Sequence, residues 1–122
     1  MVSRFTELCV DCSDPRRLAE FWSQVLGWRI EAEDGDDDEI ELVDPDGGKP
    51  TLLFIRVPEA KTVKNRLHID VNARDREQAE EVERLLALGA THADVGQGDD
   101  VSWVVMADPE GNEFCVLSKR VD

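Results

Sequence analysis

The chain repeats its own pattern, because its second half follows the first in the same order. The stretch ELCVDCSD at 7–14 aligns with HIDVNARD at 68–75 at an offset of 61 residues. The turn DPDGG at 44–48 aligns with DPEGN at 108–112 at an offset of 64 residues. Since both copies must form the same unit, an internal repeat constrains the fold more strongly than any single motif.

Each copy carries the pattern of one strand, one helix and three further strands. Alternating residues predict the strands, and apolar residues at helical spacing predict helices at 13–28 and 75–90. We expect Asp14 or Ser13 to cap the first helix and Asp75 to cap the second. The predicted strands lie at 5–12, 28–33, 39–44, 51–57, 66–72, 91–95, 101–107 and 113–119.

This order of elements predicts the α+β class. We expect a single domain over residues 1–122, built from two tandem β-α-β-β-β modules at about 1–60 and about 61–122. Together the modules are expected to form an eight-stranded mixed sheet with the helices on its outer face. A chain of 122 residues, of which 41% are hydrophobic, is long and apolar enough for one core.

Composition and charge exclude several functions. The net charge of −14 argues against nucleic acid and against membrane surfaces, since both bind basic patches. No apolar run approaches the roughly 18 residues of a membrane span. The start, MVSRFTELCV, lacks the apolar region of a signal peptide, and three cysteines fit reduced thiols, so we expect a cytoplasmic protein. The acidic stretch 31–41 is interpreted as a solvated turn rather than a calcium loop.

The stretch KTVKNRLHID at 61–70 contains the clearest candidate site. Alternation places Arg66, His68 and Asp70 on one face of the predicted strand and Leu67 on the face toward the core. A cation, an imidazole and a carboxylate on one face are compatible with a solvated surface and with the wall of a binding site.

Three stretches resemble the vicinal oxygen chelate superfamily, which includes glyoxalase I, bleomycin-resistance proteins and extradiol dioxygenases. They are CSDPRRLAEFWSQVLGW at 12–28, KNRLHIDV at 64–71 and ADPEGNEFCVL at 107–117, and the likeness covers essentially the whole chain. The chain looks most similar to the small glyoxalase-like proteins of this superfamily. The resemblance implies that the paired modules curl their sheets around a cavity lined by one face of each strand.

The resemblance also implies where metal-dependent members hold a divalent ion, on the first and last strands of each module. His68 matches the third ligand position, and its repeat partner Glu7 falls on the first. The fourth position falls on Cys115, with Glu113 as a substitute on the same face. The second position, near Phe54, has no ligating residue. We therefore predict no cofactor; a metal site, if it forms, would bind Zn, Ni, Fe or Mn through Glu7, His68 and Cys115 or Glu113.

An apolar wall with few polar groups is suited to a small organic ligand, which is the partner we expect. The residues that the resemblance implies for ligand contact are Arg66, Asp70, Phe54, Trp103 and Cys115. His68 is the candidate catalytic residue, as a general acid or base. Lys61 and Lys64, in the connector between the modules, are interpreted as solvated, with an anion clamp as the alternative.

Three functions remain open from the sequence. The leading hypothesis is a glyoxalase-like protein that binds a small organic molecule, either as a metal-independent enzyme or as a sequestering resistance protein. One alternative is a divalent-metal-dependent lyase or isomerase of the glyoxalase I type. Another is a non-catalytic interaction protein with a vestigial cavity. The resemblance further implies a homodimer.

Overall fold

The fold was analysed on a computed structural model. The structure describes residues 1–32, 37–94 and 101–121. Part of the predicted acidic turn and the last residue of the strand predicted at 91–95 therefore lie outside the described residues. The chain divides into two compact units, Met1–Ala60 and Lys61–Asp122, whose bounds coincide with the two sequence repeats.

The first unit consists of a four-stranded mixed sheet and one helix. Its elements are β1 (Glu7–Cys12), α1 (Pro15–Leu26), β2 (Arg29–Ala32), β3 (Glu39–Val43) and β4 (Thr51–Arg56). The strand order is β1-β4-β3-β2, in which β1 and β4 are parallel and the other pairs are antiparallel. β1 and β4 can pair in parallel because α1 and two strands connect them, and this connection is long enough to return the chain to the same end of the sheet.

The second unit has the same order of elements and the same pairing. Its elements are β5 (Ile69–Val71), α2 (Gln78–Leu88), β6 (Thr91–His92), β7 (Val104–Ala107) and β8 (Glu113–Val116). The strand order is β5-β8-β7-β6, again with a parallel pair of first and last strands. The predicted α+β class with two β-α-β-β-β modules is confirmed, and hydrogen bonding groups the strands into two sheets of four.

Helix α1 lies within the predicted range 13–28, and Asp14, one of its two predicted caps, is the N-cap. The side chain of Asp14 accepts a hydrogen bond from the backbone N–H of Arg17 at 3.2 Å, which satisfies one free donor of the first turn. Gly27 ends the helix with φ of +71°, a conformation that glycine adopts without strain. The buried residues of α1 are Pro15, Leu18, Ala19, Phe21, Trp22 and Val25.

Helix α2 begins later than the sequence predicts. Its N-cap is Glu77, whose backbone N–H donates to the side chain of Glu80 at 3.1 Å. Asp75 does not cap the helix, because it has φ of +51° and lies two residues before the N-cap. Among the residues that the structure describes, no helix is long and apolar enough to cross a membrane.

The sheet of the first unit buries one of its faces. Along β3 and β4 the buried positions include Ile40, Leu42, Leu52 and Phe54, and α1 packs against both strands. Phe54 has no exposed surface. The ring of Phe54 therefore belongs to the hydrophobic core of the first unit, and its contact with a ligand stays a prediction.

The core of the second unit does not include Leu67, which the strand pattern places in it. Its buried apolar side chains include Val82, Leu85, Met106, Phe114 and Val116. Leu67, predicted to face this core, is instead 78% exposed. Ile69 pairs with Phe114, so the register partner of Leu67 would fall in the turn at 108–112, before β8 begins. No strand of the described residues pairs with Leu67, which lies outside the sheet of the second unit.

Candidate functional site

The second unit contains a pocket of about 360 Å³. This volume is in the range of about 300–1,000 Å³ that is typical of small-molecule sites. The lining residues are Lys64, His68, Asp70, Trp103, Val105, Glu113, Cys115 and Leu117. The wall thus combines an apolar part with polar and charged side chains.

Three adjacent strands bring residues of different chemistry to this wall. Asp70 of β5 lies opposite Cys115 of β8, and Cys115 lies opposite Val105 of β7. Directly paired residues of neighbouring strands share one face of a sheet, so the carboxylate, the thiol and the apolar side chain stand in a row. His68, two residues before Asp70, extends this row beyond the start of β5.

His68 and Asp70 contact each other directly. His68 Nε2 lies 3.2 Å from Asp70 Oδ1, and each side chain is 46% exposed. The imidazole and the carboxylate thus stand side by side on the pocket wall. An imidazole in such a position has the chemistry of a general acid or base.

The Cys115 thiol is buried, with 8% of the residue exposed. Burial raises the pKa of Cys115, and the charge of Asp70 and a hydrogen bond with Asp70 raise it further, against a smaller opposing effect of the Lys64 charge. Cys115 is therefore a protonated thiol at neutral pH. In that form it is a weak nucleophile, because the thiolate is the reactive species.

His68, Asp70 and Cys115 also form a group of potential metal ligands. An imidazole nitrogen, a carboxylate oxygen and the thiol sulfur lie within 4.8 Å of one another. Three such donors fit a borderline divalent ion such as Zn²⁺, whose catalytic sites use three protein ligands. The sequence predicted Glu7, His68 and Cys115 or Glu113 as this set. The structure instead groups Asp70 with His68 and Cys115, while Glu7 belongs to β1 of the first unit.

Glu113 connects β8 to the segment that opens the second unit. Its Oε1 accepts from Lys61 Nζ at 2.9 Å, and its Oε2 accepts from the backbone N–H of Asn65 at 3.2 Å. Partial burial acts to raise the pKa of Glu113, but hydrogen bonds from Lys61 and from backbone N–H groups, with the Lys61 charge, lower it overall. Both oxygens of Glu113 are engaged, so its observed role is to hold residues 61–65 against β8.

Five of the predicted site residues line the pocket, and three do not. The predicted residues on the wall are His68, Asp70, Trp103, Glu113 and Cys115. Glu7 and Arg66 are exposed and are not among the lining residues, and Phe54 is in the core of the first unit.

Lys64, Val105 and Leu117 line the pocket without having been predicted to contact a ligand. Strand alternation did place Val105 on the face of Trp103, which was a usable signal. Lys64 was assigned to a solvated connector because no strand or helix pattern includes it.

A family model described as glyoxalase-like domain matches residues 7–117 of the chain. The match begins at β1 and ends just after β8, so it includes both units. No curated protein sequence matches the chain at a significant level.

Solved structures share this fold at low sequence identity. A mutant of the fosfomycin resistance protein FosX from Listeria monocytogenes, complexed with Mn(II) and a dihydroxypropylphosphonic acid, is 15% identical, with a TM-score of 0.73 and coverage of 98% of this chain and 94% of that chain. A possible glyoxalase from Bacillus cereus is 18% identical, with a TM-score of 0.67 and coverage of 95% and 99%. A glyoxalase/bleomycin resistance protein/dioxygenase family enzyme from Burkholderia phytofirmans PsJN is 18% identical, with a TM-score of 0.66 and coverage of 93% and 97%.

Proposed function

Since the chain belongs to the glyoxalase-like domain family, we propose that it binds a small organic molecule in the pocket of its second unit. The composition of the pocket wall carries this proposal. Trp103, Val105 and Leu117 offer apolar surface beside the polar pair of His68 and Asp70. Apolar walls favour binding by removing the apolar surface of the ligand from water, and a few fixed polar groups set its orientation.

His68 is the residue that we assign to proton transfer in this pocket. Its imidazole stands beside Asp70 on the pocket wall, where a ring nitrogen accepts or returns a ligand proton. Cys115 stays protonated and contributes a compact, weakly polar wall rather than a nucleophile. The pocket thus supports metal-independent acid–base chemistry, or sequestration where the ligand has no acidic proton.

Screening of organic fragments by thermal shift, followed by NMR mapping, tests the binding function. We expect hits to perturb the indole signal of Trp103. Trp103→Ala should weaken the binding of these hits by about tenfold, because an aromatic wall contributes about 1 kcal/mol or more to the affinity. Val63→Ala is the matched control, since Val63 is exposed in the same unit and is not among the lining residues. Hits that bind Trp103→Ala as tightly as the wild type would contradict the proposal.

A divalent-metal-dependent lyase or isomerase is a second candidate, favoured by the donor group of His68, Asp70 and Cys115. These residues would hold the ion through the imidazole nitrogen, a carboxylate oxygen and the sulfur. A bound divalent ion supplies Lewis-acid polarisation of a substrate oxygen. The two candidates assign different roles to His68, as a base in the first and as a ligand in the second.

Elemental analysis of untagged protein after dialysis against zinc, nickel, iron and manganese separates the two candidates. Near-stoichiometric metal that is lost in His68→Ala and in Cys115→Ala, and kept in His92→Ala, would favour the metal enzyme. His92 is a suitable control because it is exposed on β6. Trace metal in all four proteins, with ligand binding retained in the wild type, would favour the metal-independent function.

A further inference from the structure

Lys64 is a cation on the pocket wall, and it forms no salt bridge with the residues that the structure describes. Its Nζ donates to the backbone oxygen of the neighbouring Asn65 at 3.3 Å. No carboxylate of the described residues lies within 4.0 Å of this nitrogen. Because an ammonium group carries three donors, donors remain for a bound molecule.

Lys61, three residues earlier, is committed to the protein itself. Its Nζ donates to Glu113 Oε1 at 2.9 Å and to the backbone oxygen of Val63 at 2.8 Å. The charge of Lys61 thereby balances that of Glu113, which also lines the pocket. Of the two lysines in this segment, Lys61 thus makes a structural contact and Lys64 lines the pocket.

The backbone next to Lys64 is held in place by hydrogen bonds. Asn65 donates its backbone N–H to Glu113 at 3.2 Å and its side-chain Nδ2 to Asn112 at 2.8 Å. A cation on a segment fixed in this way loses less conformational freedom on binding than one on an unrestrained loop. The backbone that carries Lys64 is therefore already positioned beside the pocket before a ligand arrives.

We propose that the ligand of this pocket is an organic anion, a carboxylate or phosphonate with an apolar or aromatic body, whose acid group binds Lys64. This inference rests on the proposed binding function and specifies the class of ligand. The apolar body packs against Trp103, Val105 and Leu117, and the acid group accepts from Lys64 Nζ. A neutral ligand would leave this cation solvated and gain nothing from it.

The negative net charge of the chain does not prevent an anion from binding in direct contact with Lys64. The net charge of −14 repels anions at a distance. At physiological ionic strength the screening length is about 8 Å, so a direct contact outweighs charges spread over the surface. Within the pocket, Glu113 is balanced by Lys61, and Asp70 contacts His68.

Matched probes with one apolar body test the proposal on the full chain. We would titrate phenylacetate, benzylphosphonate, 2-phenylethanol and 2-phenylethylamine while following the NMR signals of Trp103 and His68. Phenylacetate or benzylphosphonate is expected to bind about fivefold more tightly than the alcohol, the effect of one exposed charge pair. In Lys64→Met the acid and the alcohol should bind with similar affinity. Lys119→Met is the matched control, because Lys119 is exposed in the same unit and is not a lining residue.

Each outcome bears on a different part of the inference. Tighter binding of the phosphonate than of the carboxylate, or the reverse, supports the proposal and identifies the acid group. Equal affinities of all four probes, with Trp103 and His68 still perturbed, would overturn the anion preference and leave the binding function intact. A preference for acids that survives in Lys64→Met would overturn the role of Lys64. Absence of any perturbation by the four probes would overturn both proposals.

Discussion

The two units share one order of elements and one pairing scheme, yet their sheets carry different residues at equivalent positions. In the second unit the pocket wall bears His68, Asp70 and Cys115. By the repeat and by strand register, the equivalent residues of the first unit are Glu7, Cys9 and Leu53. An apolar side chain thus stands where the second unit has a thiol. The group of three potential metal ligands found among the described residues lies in the second unit.

The units also differ in how far their parallel strands pair. β1 pairs with β4 over six residues, whereas β5 pairs with β8 over three. The shorter ladder leaves residues 61–68 outside the sheet, where Lys64 and His68 line the pocket. The same topology therefore has different consequences in the two units. In the first unit the parallel strands pair along their whole length, whereas in the second unit residues before β5 stay unpaired and line the pocket.

The largest expected effect tests the assignment of Phe54 to the core of the first unit. Phe54→Ala should lower the free energy of unfolding by about 3–5 kcal/mol, because a fully buried ring leaves a cavity when it is removed. Urea denaturation measures this change. Trp103→Ala, which removes a ring that is 40% exposed, should cost much less stability. A loss below about 1 kcal/mol in Phe54→Ala would place the ring outside the core.

The next largest expected effect is on ligand affinity, and it tests whether the site belongs to the second unit alone. His68→Ala should weaken the binding of pocket ligands by about tenfold, because the side chain supplies an oriented hydrogen-bonding group. His92→Ala, the other histidine of the chain, should leave affinity unchanged. Isothermal titration with a hit from the ligand screen measures both. A comparable loss in Glu7→Ala, the equivalent position of the first unit, would show that the first unit contributes to the site and would break the comparison.

A smaller effect follows from the contacts of Glu113. Because its folded-state pKa is lowered, Glu113 stabilises the fold above its ordinary pKa, and this stabilisation is lost as pH falls through the folded-state value. Glu113→Gln should therefore cost about 1 kcal/mol at pH 7, and the difference from the wild type should shrink on acidification. Chemical denaturation across pH 3–7 measures it, with the exposed Glu83→Gln as control. A difference that does not change with pH would mean that the charge of Glu113 is not what holds Lys61.

The smallest expected effect is at Leu67. Leu67→Ala should change stability by less than about 0.5 kcal/mol, since the side chain is mostly exposed and no strand of the described residues pairs with it. The urea midpoint is a sufficient measurement. A loss of 2 kcal/mol or more would mean that Leu67 is packed and that β5 extends as the sequence predicted.

The sequence was sufficient for the architecture because its signals are local. Helical spacing, the cap at Asp14 and the two DP turns each depend on a few neighbouring residues, and the repeat joins them into one order of elements. The predicted α+β modules are confirmed by the structure, and the predicted superfamily resemblance is confirmed by the family match over 7–117.

The site was harder to predict because it depends on register between distant strands. Phe54 and Leu53 are adjacent, and a shift of one residue moves a side chain to the opposite face of a sheet. The pairing of β1 with β4 decides this choice, and it puts Leu53 opposite Cys9. Likewise, Asp70 meets Cys115 only through the pairing of β5 with β8. No pattern within either strand contains that information, so Asp70 was omitted from the predicted metal ligands.

The position of Lys64 on a segment outside the sheet has a consequence for how this family can diversify. Such segments tolerate substitution, because no ladder hydrogen bond depends on their side chains. On one side of residue 64 the backbone oxygen of Val63 accepts from Lys61, and on the other the backbone N–H of Asn65 donates to Glu113, so residue 64 can vary without disturbing the strands. Relatives with an acidic or apolar residue at this position would keep the pocket and accept differently charged molecules. The residue at position 64 would then determine which ligand charge each relative prefers, while the fold stays the same.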